Sequence, residues 1–232
     1  MTASRARATY PSRRAFSRLA ALVAAAAAGA LRRALARPQA AVSLFDGKTL
    51  DGWIEMESKP AASPGWVVKE GAMASTGAGR GVIYTAADYS RFRLTFTMRH
   101  VSGNPDHQAC VLIFCTRPQA GEKPLDALGG IQFQVPNGGH WDYRPGMNNS
   151  GGAKFATITK THFDPHEWSR VEILGDAVTG TAHMTVAQPP GSAAVEVLAF
   201  HDASAGRPGP IAWQMHNAGL FDEYKNIAIE IL

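Results

Sequence analysis

Cysteine is almost missing from this chain: its 232 residues include two, Cys110 and Cys115. Two thiols do not make a disulfide framework, and a zinc site wants closer spacing and more thiol or imidazole partners. The residues between them, Val111-Leu112-Ile113-Phe114, read as a strand. An offset of five then sends the thiols to opposite faces, where a bridge is geometrically poor. Both are read as small buried hydrophobes, the alternative being a disulfide or metal pair. Long apolar runs are scarce too. Leu19 to Leu31 covers thirteen residues, short of the roughly 20 that cross a bilayer. A dinucleotide fingerprint and a phosphate loop are absent, so no organic cofactor is expected. Past residue 42 there is hardly an amphipathic helical pattern, and no internal repeat or low-complexity tract.

What is present begins with Ser12-Arg13-Arg14-Ala15-Phe16, directly before the apolar run. A paired arginine, then Phe, then a short alanine-rich segment resembles a bacterial twin-arginine export signal. Residues 1–41 are therefore read as a leader, cleaved after Ala36 or Ala41, and 42–232 as one domain. The alternative is a basic amphipathic N-terminal helix. The leader reading implies a periplasmic or secreted protein with no stable membrane anchor after processing, folded before export. It also changes the charge argument. Residues 1–36 hold seven arginines and no acid, and removing them leaves 16 basic against 19 acidic side chains, a net of −3. The basic pI thus belongs to the leader, and no nucleic-acid partner is expected.

Short alternating or β-branched runs bounded by Gly, Pro, Asn and Asp recur through the remainder. The clearest are 65–70, 92–99, 109–116, 131–135, 169–174, 182–187, 195–200, 211–216 and 224–232. Their spacing predicts an all-β, two-layer antiparallel sandwich. Two long connections interrupt it, 118–130 and 136–155. The second is rich in Asn, Gly and aromatics, a composition suited to a polyol ring; the alternative is a plain crossover loop.

Leu44-Phe45-Asp46-Gly47-Lys48-Thr49-Leu50-Asp51-Gly52-Trp53 resembles the opening signature of the 3-keto-disaccharide hydrolase-like family. Further landmarks follow in order: Trp66 with Glu70-Gly71-Ala72-Met73, Phe114-Cys115-Thr116-Arg117, and Ile131-Gln132-Phe133-Gln134. Then come Glu167-Trp168-Ser169-Arg170-Val171, Trp213-Gln214-Met215-His216 and Tyr224 to Ile229. The resemblance implies a concanavalin-like jelly roll of two curved sheets whose concave face binds sugar. It further implies action on glycosides oxidised to a ketone at C3, by elimination of the glycosidic bond or hydration of the resulting keto-glucal. A functional link to an exported sugar 3-dehydrogenase would supply that ketone. Three departures stand out: Gln132 where the family usually has Glu, Asp106-His107-Gln108 in place of Asn-Ser-Gly, and His216-Asn217 in place of His-Gly. The missing carboxylate at 132 favours the alternative of a non-catalytic carbohydrate-binding module.

The residues themselves agree with an unusual chemistry. Ordinary glycoside hydrolysis needs two facing carboxylates, and no pair stands out, since Asp88, Glu122, Asp126, Asp176 and Asp202 lie among turn formers. A 3-keto sugar needs one base and an enolate stabiliser. Strand parity puts Gln132 with Gln134, and Gln214 with His216, on one side of their strands, and Arg117 in phase with Ile113 and Cys115. His216 is assigned as base or proton shuttle, the alternative being an imidazole satisfied by backbone. Arg117 and Gln134 are assigned to orient the keto sugar, and Gln132, Gln214 and His140 to bind it. Trp141 is placed against a sugar ring, while Trp53, Trp66 and Trp168 are expected to be packed. A divalent cation acting as enolate stabiliser would be held by His140 with Asp142, ahead of Asp106–His107 and Asp164–His166. Each of these three pairs has a turn with an exposed histidine as its alternative.

Overall fold

The computed structural model describes residues 40–57, 64–103, 109–118, 128–149, 154–159 and 161–232. The chain divides into two units, Met1–Pro38 and Gln39–Leu232. Residues 1–39 of the expected leader lie outside the described residues, as do Asp106, His107, Glu122 and Asp126.

The second unit is built from strands. In chain order they are β1 (Val42–Ser43), β2 (Trp53–Glu57), β3 (Trp66–Lys69), β4 (Ala72–Ser75), β5 (Gly81–Thr85), β6 (Arg91–Ser102), β7 (Cys110–Thr116) and β8 (Gly129–Gln134). Then follow β9 (His140–Asp142), β10 (Phe155–Thr157), β11 (Ser169–Asp176), β12 (Thr181–Ala187), β13 (Val195–His201), β14 (Ala212–Met215) and β15 (Phe221–Ile231). One sheet runs β10-β13-β12-β11-β6-β15-β4-β3, with β1 added beside β15. The other runs β2-β5-β14-β7-β8-β9. Their pairings are antiparallel throughout. This is the two-layer antiparallel sandwich that the strand pattern predicts and the jelly roll that the family resemblance implies.

Period-two patterning explains the layers. On β6, Phe92, Leu94, Phe96 and Met98 are buried, while Arg91, Thr95 and Arg99 alternate with them on the outer face. The core between the sheets is centred on Trp66, Phe96, Trp213 and Tyr224, whose ring centroids lie 5.7–6.2 Å apart at tilted or edge-on angles. Burying each such ring stabilises the fold by about 1.5–3 kcal/mol. A tight hairpin joins β3 to β4. Its two corner residues, Glu70 and Gly71, take φ of 50° and 76°, the left-handed pair that suits the twist of the flanking strands.

The thiols correct one expectation. Phe114 takes φ 55° in β7, and the pairing with β8 shifts register between Ile113 and Thr116. That bulge turns both Ile113 and Phe114 into the core, so Cys115 emerges on the same outward face as Leu112. Parity counting across a regular strand had sent the two thiols apart. Neither forms a disulfide and both are buried, and desolvation pushes each thiol far above its ordinary pKa.

Candidate functional site

Side chains on paired residues share a face, so the register of the six-stranded sheet can be read across it. One outward row is Gln134, Cys110, Gln214, Val82 and Met56; the next is Trp141, Gln132, Leu112, Ala212, Tyr84 and Ile54. The intervening row, His140, Phe133, Val111, Trp213 and Ile83, faces the core. Gln132, Gln134 and Gln214 therefore share the outward face, in keeping with strand parity, and Trp141 joins them from β9.

The outward face has two ends of different character. At one end lie amides. Gln132 Nε2 donates to Gln214 Oε1 at 3.0 Å, and Gln214 Nε2 lies 3.4 Å from His216 Nδ1. Gln132 and Gln214 are buried and His216 is half-buried, at the end of the relay. Run in this direction, the relay keeps the imidazole proton on Nε2. Turning both amides over, which exchanges the N and O positions of each, reverses it, moves the proton to Nδ1 and leaves Nε2 with a lone pair. Gln134 reaches over Gly139, where a Cβ would sit 1.8 Å from its Oε1. A side chain there would push Gln134 out of this pose. At the other end lies an apolar cluster of Val82, Tyr84, Leu112, Cys115, Leu128 and Ala212, with Met56 and Tyr143 packed against it. Among the described residues, no carboxylate belongs to the outward rows of this sheet.

Two assignments are corrected by this geometry. Arg117 lies past the far end of β7, seven residues beyond Cys110, the partner of Gln214, which is about 23 Å along the strand at ~3.3 Å per residue, and His216 is farther still. The bulge at Phe114 also breaks the phase on which its placement rested. Its Nε donates to Asp88 Oδ1 at 2.9 Å and its Nη2 to the carbonyl of Ala86 at 2.7 Å. It clamps a loop and does not meet the amide relay. His140 and Asp142 point away from the outward face. The His140 ring stacks on Phe155 with centroids 4.2 Å apart. Asp142 takes two hydrogen bonds from the Arg144 guanidinium, 3.0 Å from Nε and 2.7 Å from Nη2. Both are committed elsewhere, which removes the proposed cation pair and the sugar contact of His140. His166 Nδ1 lies 3.0 Å from the carbonyl oxygen of His100, and its backbone N–H bonds to Asp164 in a turn. No group of three or more His, Cys, Asp or Glu side chains converges as a metal set among the described residues.

The Arg144 cluster does something else. Its Nη2 also donates to Asp202 Oδ2 at 2.7 Å, and Lys154 Nζ bonds the same oxygen. Burial opposes ionisation of Asp202, but hydrogen bonds from Lys154, Arg144 and Ser204 outweigh it and hold the carboxyl well below its ordinary range. Asp142 belongs to one sheet and Asp202 follows β13 of the other, so the cluster ties the layers beside Trp141 and Tyr143.

One residue at the relay end escapes sequence reasoning. Arg80 precedes β5, opposite His216 by continuation of the β14 pairing, and its Nε donates to the His216 carbonyl at 2.7 Å. A lone arginine set between glycines ahead of an alternating strand was the signal available.

Comparisons with known proteins complete the picture. The model of the 3-keto-alpha-glucoside-1,2-lyase-like domain matches residues 40–230. Comparison with curated proteins finds no match. Among solved structures, a candidate glycosyl hydrolase from Parabacteroides distasonis superposes with a TM-score of 0.55 at 17% identity, over 83% of this chain and 94% of that one. A carbohydrate binding module from Bacillus subtilis gives 0.53 at 11% identity, over 77% and 95%. At these identities the likeness is one of fold.

Proposed function

Because the chain belongs to the 3-keto-alpha-glucoside-1,2-lyase-like family, we propose that it acts on sugars at the outward face of its six-stranded sheet, cleaving 3-keto-glycosides by elimination. The observation that carries this reading is the relay Gln132–Gln214–His216, which ends in a half-buried imidazole on the face that also presents Gln134 and Trp141.

The chemistry follows from the ketone. It acidifies the C2 hydrogen, which His216 removes; the electron pair first forms the enolate at C2–C3 and then the C1–C2 double bond as the C1–O bond breaks. The leaving oxygen takes the proton back from the imidazolium, so one His216 serves both steps and atoms balance. The base form, with its lone pair on Nε2, and the imidazolium both carry a proton on Nδ1, so the shuttle runs in the reversed relay, where Gln214 Oε1 accepts from Nδ1 in both states. Gln134, with Arg80 beside His216, orients the keto oxygen as charge develops there. Hydration of a keto-glucal would use the same proton shuttle. Export to the periplasm or medium, and an exported dehydrogenase that oxidises the C3 hydroxyl, belong to this proposal.

A second reading, sugar binding without turnover, is favoured by one observation: position 132 is an amide and the outward rows carry no carboxylate. Incubating the protein with a 4-nitrophenyl 3-keto-glucoside, with and without chelator, separates the two. The expected result is nitrophenol release that falls about 100-fold or more in His216→Ala. Binding with no release, unchanged in that variant, overturns the catalytic reading in favour of the module.

A further inference from the structure

The outer face of the nine-stranded sheet carries a lattice of paired charges that gives way locally to hollows. Arg91 pairs with Asp176, Arg93 with Glu230 and Glu172, Arg99 with Glu223, and His183 with Glu196. Between them, where β15 loses register with β6 between Lys225 and Ala228, the face opens into a hollow of about 550 Å³. Its walls are Trp168 and the exposed Pro189 and Pro190, and its polar groups are Thr97, Glu167, Lys225 and Asn226.

Those polar groups differ from their neighbours in being uncommitted. Among the described residues, the side chains of Thr97, Glu167 and Asn226 make no hydrogen bond or ion pair, and Lys225 makes no ion pair but lies 3.7 Å from the centroid of the Trp168 ring, which Arg99 also meets at 4.7 Å. Thr97 lies at the floor of the hollow, 7% exposed. Asn226 takes φ 54° at the bulge, an exposed residue lifted out of the ladder at the rim. The amide of Gln188, by contrast, is fully used. It bonds the backbone of Asp164 and the hydroxyl of Ser169, and so fixes the segment that carries the two prolines.

We propose that this hollow is a second saccharide site, separate from the outward face of the six-stranded sheet. Flat apolar walls with a hydroxyl, an ammonium, an amide and a carboxylate around them suit a ring whose two faces are C–H and whose rim is hydroxyl. One acid and one base among the free groups leave no net charge to select an ion. The hollow opens on a sheet face with its backbone already paired, so it offers an extended peptide no strand edge to join. The volume lies in the range of small-molecule pockets, about 300–1,000 Å³, with room for more than one sugar ring.

Titrating the ¹⁵N-labelled full chain with maltotriose and, separately, cellotriose tests this. The expected result is a saturable shift of the Trp168 indole N–H and the Thr97 and Asn226 amides with at least one of them. Trp168→Ala weakens that binding about tenfold and Thr97→Val about fivefold, while His216→Ala leaves it unchanged. Thr97→Val changes no contact between the layers, so it reports even where the indole variant fails to fold. Absence of shifts with both trisaccharides, binding that survives both hollow variants, or binding lost in His216→Ala each overturns the second site.

Discussion

The two outer faces of this sandwich are made from the same kind of alternating strand yet follow opposite rules. The face of the nine-stranded sheet is charged, and its charges find partners across strands; the face of the six-stranded sheet carries amides, aromatics and aliphatics. Exposed ion pairs are tolerant surface that excludes no water and selects no ligand. Neutral amides in a buried relay are demanding, because each donor needs a specific acceptor. A face that keeps Gln132 and Gln214 buried and bonded to each other holds those amides in one geometry. The Trp168 hollow is instructive for the same reason, since it is where the charged face stops following its own rule.

The largest break in this contrast would come from putting a charge on the neutral face. Leu112 is fully buried there, and Leu112→Lys is expected to lower unfolding stability by about 3 kcal/mol or more, since the penalty for a buried unpaired ion is several kcal/mol. Chemical denaturation measures it, with Leu112→Met, expected to cost less than about 1.5 kcal/mol, as the control for shape. A loss in the lysine variant no greater than in the control would mean that this face is open to water.

An intermediate effect is expected where the two sheets meet at Asp202. Its carboxyl is held below the ordinary range, so its contribution is complete above the unfolded-state pKa of roughly 3.9 and is lost as pH falls from there toward the depressed folded value. Asp202→Asn should therefore destabilise the protein at pH 7 and flatten the fall in thermal midpoint below about pH 4. An unchanged acid limb would detach the Arg144 cluster from stability.

The smallest effect belongs to the charged face. Removing the Arg93 side chain, which bonds Glu230 at 2.6 Å while about two-fifths exposed, is expected to cost about 0–1 kcal/mol and less still in 1 M salt. A cost above about 2 kcal/mol, insensitive to salt, would show that this face is as demanding as the other.

Much of the fold was legible in the residues. The nine predicted runs all form strands, because each is long enough to show its period, as in Phe92-Leu94-Phe96-Met98. β2, β4, β5, β9 and β10 were not read, being three to five residues long and set among glycines, prolines or polar loops that dilute the pattern. The candidate site was legible in part. Parity on regular strands brought Gln132, Gln134 and Gln214 to one face and put His216 in line with them. It failed for Arg117 and for the cysteine pair, where the bulge at Phe114 adds a residue that no alternation announces. It failed for His140 and Asp142 because the aromatic and guanidinium partners that claim them come from contacts a linear spacing does not weigh. Trp168 was expected to be packed, and it stands half-buried over the sheet with two cations against its ring.

Sequence by itself determined the sandwich, the family and which amides share a face, since these rest on period-two alternation and on motifs in fixed order, both local in the chain. The tertiary structure alone decided that the amides join in a relay ending at His216 with Arg80 beside it, that Arg117 is a loop clamp, and that Thr97, Glu167 and Asn226 around Trp168 make no side-chain hydrogen bond among the described residues. Each of those depends on which strand lies beside which and on a single bulged residue, and the free energies involved come from partners distant in the chain.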